Sequence, residues 1–124
     1  MSVANAHPPL AILVVEDEAM IRCLIVAHLR EAGCLVTEAA SADQAIAFLE
    51  KPFDAVFTDL RLGRGRNGWD VGEAFRAARA DIPVIYATGN MVEPPRPVPG
   101  SRLFNKPYDV EEVVEACYSL CRAH

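Results

Sequence analysis

Asp59 closes a short apolar run, Ala55-Val56-Phe57-Thr58, and three other apolar runs also lead to polar groups. Glu16-Asp17 follows the run from Leu10 to Val15, Thr88 follows Pro83 to Ala87, and Lys106 comes after Leu103-Phe104. Runs of this length, rich in β-branched residues, read as buried strands. If the four strands lie parallel in one sheet, their carboxyl ends share an edge that carries three carboxylates, a hydroxyl and an ammonium. Such an edge suits a divalent cation, which takes hard oxygen ligands, and a phosphoryl group, whose charge an ammonium and a hydroxyl can meet. Two aspartates about 4 Å apart would repel by about 4 kcal/mol at an effective dielectric near 20. A bound cation would relieve that repulsion. Singly, each residue has an ordinary role: Asp59 as a helix cap or loop residue, Thr88 as a turn residue before Gly89, Lys106 as a surface lysine. Only the ordered set points to chemistry. Arg64 and Arg66 read as a solvated loop and Trp69 as a helix-packing residue, so none of the three enters the site.

The elements that must position these groups alternate along the chain. After the first strand, Ile21, Leu24, Ile25, His28, Leu29 and Ala32 recur at three- and four-residue steps. They predict a helix with that face inward, which Gly33 closes in a left-handed conformation. Leu35 to Glu38 is the second strand. Ser41 caps a second helix, with Ala45, Ile46 and Leu49 inward, that runs until Pro52 stops it. Beyond Asp59, the stretch Leu62 to Gly68 is rich in turn residues and predicts a mobile loop before a helix from about Trp69 to Ala80. A final helix begins at Asp109, which caps it, and carries Glu111 and Glu112 favourably in its first turn. Right-handed crossovers then give an open parallel sheet with helices on both faces and a ligand site at the strands' carboxyl ends. One unit breaks the alternation. Pro94, Pro95, Pro97 and Pro99 fall within six positions, and an interior proline costs a helix about 3 kcal/mol or more. The fourth helix is therefore short, distorted or missing, and an extended, mobile segment is expected in its place.

Composition narrows the function classes. At 124 residues the chain is the size of one domain. A formal net charge of -5 provides no overall basic surface for nucleic acid. The start lacks a basic segment followed by a long apolar run, and no stretch approaches the roughly 20 apolar residues of a membrane span. A cytoplasmic protein is expected. Cys117 and Cys121 continue the stripe Val110, Val113, Val114 and read as core thiols. Cys23 and Cys34 stand alone, and His7, His28 and His124 are scattered, so no zinc signature is present.

The ordered set resembles the receiver domain of two-component response regulators over Leu10 to Leu120. The matching pieces are Glu16-Asp17, Asp59, Thr88-Gly89 and Lys106-Pro107. Tyr86-Ala87-Thr88-Gly89 also resembles a subset of single-domain receivers with a Phe-Ala-Thr-Gly motif. The resemblance implies a flavodoxin-like receiver fold, strand order 2-1-3-4-5, with residues 1–9 a mobile leader and 10–122 the domain. It implies Mg²⁺ held by Asp17, Asp59 and the backbone carbonyl of Arg61, with Glu16 acting through a bound water. It further implies that Asp59 is the nucleophile that takes a phosphoryl group from a phosphohistidine, while Lys106 and Thr88 meet the transferring oxygens and a cis Lys106–Pro107 bond aims the lysine. Arg61 and Asn90 fall where the family tunes the lifetime of the acyl phosphate.

Two features depart from the family. Its usual aromatic residue three positions before the lysine is Leu103 here, which puts the usual coupling to the threonine in doubt, and the prolines displace its fourth helix. With no further domain expected after His124, the chain is expected to act by contact, as a stand-alone phosphoacceptor that signals to a partner, feeds back on its kinase or serves as a phosphate sink. Its implied partners are a histidine kinase or histidine phosphotransfer protein and a downstream protein target, with no nucleic acid or membrane, and the chain itself a monomer or weak dimer. It would modify itself rather than turn over an external substrate. The alternative is a phosphorylation-independent interaction module with the same fold. A phosphohydrolase resembling the haloacid dehalogenases would need its nucleophile on the first strand with an aspartate two residues later, and Glu16-Asp17-Glu18 fails that pattern.

Overall fold

The computed structural model describes residues 9–122, so the expected leader, apart from its last residue, lies outside the described residues. Five strands run parallel: β1 (Ala11–Val15), β2 (Leu35–Ala39), β3 (Ala55–Asp59), β4 (Val84–Thr88) and β5 (Arg102–Asn105). Their order across the sheet is β2-β1-β3-β4-β5, as expected. The helices are α1 (Ala19–Glu31), α2 (Ala42–Ile46), α3 (Gly68–Ala78) and α4 (Val110–Arg122). Period-two alternation divides the strands between two cores. Ile12, Val14, Ala55, Phe57, Ile85 and Ala87 pack with Ile25, Leu29, Val113 and Cys117 of α1 and α4. Leu13, Val15, Val56, Val84 and Tyr86 pack with Ala42, Ala45, Trp69 and Phe75 of α2 and α3. Both faces of the sheet are covered, which is why its central strands read as continuous apolar runs.

The element ends follow the local chemistry of the chain. Gly33 takes φ 95° just after α1, in the left-handed region expected of it. Ser41 accepts from the Gln44 amide at the start of α2, and Asp109 accepts from the Glu111 amide at the start of α4. Both Lys106–Pro107 and Glu93–Pro94 are cis. The first turn of α3 holds a capping box that the sequence reading passed over: Asn67 Oδ1 accepts from the Asp70 amide and Asp70 Oδ2 from the Asn67 amide.

Three expectations need correction. Ala32, the C-cap of α1, is exposed rather than inward; likewise Leu24 is 52% exposed, and Val26 is buried instead. Leu24 and Val26 flank Ile25 on opposite sides, and packing covers only the Val26 side. The second helix is shorter than expected: beyond Ile46, the amides of Phe48, Leu49 and Lys51 bond three residues back, so the chain tightens into 3₁₀-type turns before Pro52. The proline-rich segment is non-helical as expected, but it is tied to the body. Trp69 Nε1 donates to the Val92 carbonyl at 2.7 Å, the Val98 amide donates to the Tyr86 hydroxyl at 3.2 Å, and Arg96 bridges Asp70 at 3.1 Å and Glu73 at 2.6 Å. Residues 90–101 form a strap across α3 and β4.

Candidate functional site

Strand register brings the polar residues to one edge. Val15 lies opposite Thr58 and Asp59 opposite Ala87, so Glu16, Asp59 and Ala87 share a rung, Thr88 lies one residue beyond it, and Lys106 follows Asn105, the partner of Thr88. Lys106 reaches back toward that rung. Its ammonium stands 3.3 Å from Asp59 Oδ2 and 3.6 Å from Glu16 Oε1. A carboxylate oxygen from each of Glu16, Asp17 and Asp59 falls within 4.8 Å of the others, and Asp17 is the exposed member.

Burial governs the electrostatics. Glu16 is wholly buried and Asp59 is 5% exposed. Glu16 Oε2 accepts the Glu18 amide at 3.2 Å, while Oε1 has no hydrogen-bond partner among the described residues. Loss of water, and then the nearby Asp59 charge, push the Glu16 carboxyl up to about 7. Burial also raises Asp59, against the pull of Lys106 and of the Leu60 amide that Oδ1 accepts at 3.0 Å. Burial lowers Lys106, but the charges of Asp59 and Glu16 outweigh it and leave the ammonium raised. The result is a cluster of carboxylates with more negative charge than one lysine neutralises and with a buried oxygen, Glu16 Oε1, that faces the Lys106 ammonium without a hydrogen bond. That donor set fits a hard divalent cation.

The remaining expected residues divide. Thr88 is 2% exposed, and its hydroxyl donates to the Asn90 carbonyl at 2.5 Å while accepting the Asn90 amide at 3.1 Å. Its proton is thus engaged within its own turn and must swing to serve an acceptor in the site. Arg61 lies two residues beyond Asp59 with an exposed side chain, and its guanidinium donates to the Met91 carbonyl at 3.5 Å. Arg66 pairs with Asp43 at 2.7 Å, and Arg64 is exposed, so neither joins the cluster. Leu103 lies opposite Tyr86 and is 37% exposed, whereas Phe104 points into the core beneath α1 and α4. Adjacent strand residues face opposite ways, so Phe104 cannot take the place of an aromatic at 103.

Sequence reading missed Gly68. A Cβ there would stand 2.2 Å from the Asp59 carbonyl oxygen, and the Gly68 amide donates to the Leu60 carbonyl at 2.9 Å. The β3–α3 loop can close on the Asp59 peptide only because this residue lacks a side chain. The available signal was a glycine directly after a capping asparagine.

The sequence pattern described as the response regulator receiver domain matches residues 12–117. The transcriptional regulatory protein PdtaR of Mycobacterium tuberculosis is 32% identical over 120 residues, covering 91% of this chain and 57% of that protein. ResD of Bacillus subtilis, also a transcriptional regulatory protein, is 35% identical over 117 residues, covering 90% of this chain and 48% of that protein. The chain thus spans about half the length of the curated relatives it matches. Among solved structures, a response regulator receiver protein from Sinorhizobium medicae superposes with TM-score 0.88 at 29% identity, over 93% of this chain and 96% of that one. The receiver domain of a Pseudomonas aeruginosa sensor histidine kinase, with a magnesium ion coordinated in its active-site cleft, superposes with TM-score 0.79 at 25% identity, over 93% and 99%.

Proposed function

We propose that this chain, which belongs to the response regulator receiver domain family, accepts a phosphoryl group on Asp59 from a phosphohistidine. The observation that carries this reading is the placement of Asp59, nearly buried at the end of β3, with Lys106 at 3.3 Å and two more carboxylates beside it. An Asp59 carboxylate oxygen forms the new P–O bond as the P–N bond to the donor imidazole breaks, and the imidazole leaves with the bonding pair. Lys106 neutralises charge on the phosphoryl oxygens, and Thr88 gives up its bond to Asn90 and donates to one of them. Asp17 and Asp59, with the Arg61 carbonyl, would hold Mg²⁺, and Glu16 Oε1 would accept from a water bound to it. When bound, the ion supplies a positive charge that offsets the clustered carboxylates and the incoming phosphoryl group.

Receiver domains take their phosphoryl group from histidine kinases or phosphotransfer proteins, and the partner here belongs to that class. The finer reading is a stand-alone acceptor that signals by contact or serves as a phosphate sink, modifying itself without turnover of an external substrate. Incubation with Mg²⁺ and a histidine-phosphorylated donor domain tests it. Phosphoryl transfer to wild type but not to Asp59→Asn is expected, and transfer that persists in Asp59→Asn would refute the assignment.

A further inference from the structure

We infer that Arg22, in the second turn of α1, is a positioning residue that aims the acidic cluster and thereby sets its cation affinity; this rests on the reading of the site given above. Glu18, the N-cap of α1, makes no side-chain cap, and the first turn carries no acidic residue, so the usual devices that fix a β–α turn are missing where Glu16 and Asp17 must be held. Arg22 replaces them. Its Nη1 donates to the Glu16 carbonyl at 2.7 Å, and its Nε donates to Glu38 Oε1 at 3.1 Å, with the side chain only 19% exposed. The Glu16 amide donates to Ala39, the residue after Glu38, at 3.0 Å. The last two residues of β2 therefore hold Glu16 from both sides, one directly and one through Arg22. With its amide, carbonyl and Oε2 all engaged, Glu16 keeps a single polar atom without a hydrogen bond, Oε1, which faces the Lys106 ammonium at 3.6 Å.

Positioning and simple charge predict opposite signs. A guanidinium beside a cation site repels the cation, so removing it should tighten binding if charge alone matters. If Arg22 aims the carboxylates, removing it weakens binding by about tenfold, the usual scale for residues that orient metal ligands. Calorimetric titration with Mg²⁺ separates the two. Arg22→Met is expected to bind about tenfold more weakly, and Arg22→Lys, which keeps the charge but loses the two-point geometry, several-fold more weakly. In the metal-free protein, amide exchange at Asp17 and Glu18 should accelerate in Arg22→Met. Arg79→Met serves as the control for mere stability, since Arg79 donates to the Phe53 carbonyl at the other end of the sheet; its Mg²⁺ affinity should match wild type. Should Arg22→Met fail to fold, Arg22→Lys decides. Unchanged or tighter binding in either folded variant overturns the inference while leaving the site reading intact, whereas absence of Mg²⁺ binding by wild type refutes the site reading and the inference together.

Discussion

At the scale of single residues, Glu16 departs strongly from solution behaviour. Its carboxyl is raised to about 7 by burial and then by the Asp59 charge, from an ordinary value of 4.5. Between those values the folded, cation-free protein holds a proton that the unfolded chain has lost. Folding stability should therefore fall as pH rises from about 4.5 to 7, with this contribution absent below the window, where both states are protonated. Cation binding must expel that proton, so Mg²⁺ affinity should rise with pH up to about 7 and then level off. Titration calorimetry in buffers of different ionisation enthalpy should detect proton release near pH 6 and almost none near pH 8. Glu16→Gln should remove that pH dependence. Lys106→Met takes away the ammonium shared by Asp59 and Glu16. Phosphorylation of that variant should slow about 100-fold or more, measured as the rate of adduct formation. These groups were legible in the sequence because each ends its own apolar run. The engagement of Thr88 with Asn90 and the closure of Gly68 on Asp59 were not, since both depend on backbone geometry that residue types do not encode alone.

At the scale of elements, the strap over residues 90–101 replaces the helix that the alternation calls for. Its prolines revealed what it could not be, but not where it would lie. That depends on pairs far apart in sequence, Trp69 with Val92, Tyr86 with Val98 and Arg96 with Asp70, none of which leaves a periodic trace. Tyr86 reaches the strap because Gly72 makes room: a Cβ at Gly72 would stand 2.2 Å from the Tyr86 hydroxyl oxygen. Tyr86→Phe leaves the buried Val98 amide without its acceptor and should cost about 1–3 kcal/mol in denaturant unfolding. Trp69→Phe keeps an aromatic ring against Tyr86, whose centroid lies 4.7 Å from that of Trp69, but gives up the bond to Val92. Amide exchange in the strap should quicken in Trp69→Phe while β1 and β3 remain protected. The extent of α1 burial also escaped the sequence. Leu24 and Val26 offer similar apolar surface, and only the packing selects Val26.

At the scale of the whole molecule, alternation and right-handed crossovers made an open parallel sheet legible, whereas the order 2-1-3-4-5 followed only from the resemblance to receiver domains, because handedness alone allows more than one doubly wound order. The same topology places the site where β1 and β3 adjoin at their carboxyl ends, and Lys106 completes it from beyond β5. Among the described residues no helix is long and apolar enough to cross a membrane. A ligand held only by the assembled edge must stabilise the whole fold. At about 100 times its dissociation constant, Mg²⁺ should add about 2.7 kcal/mol to unfolding, and Asp17→Asn should abolish most of that gain. The most direct measurement of the central claim is the intact mass of wild type and Asp59→Asn after incubation with acetyl phosphate, with and without Mg²⁺. One phosphoryl adduct that requires both Asp59 and Mg²⁺ is the predicted result; an adduct of equal yield in Asp59→Asn, or one indifferent to Mg²⁺, would contradict the account.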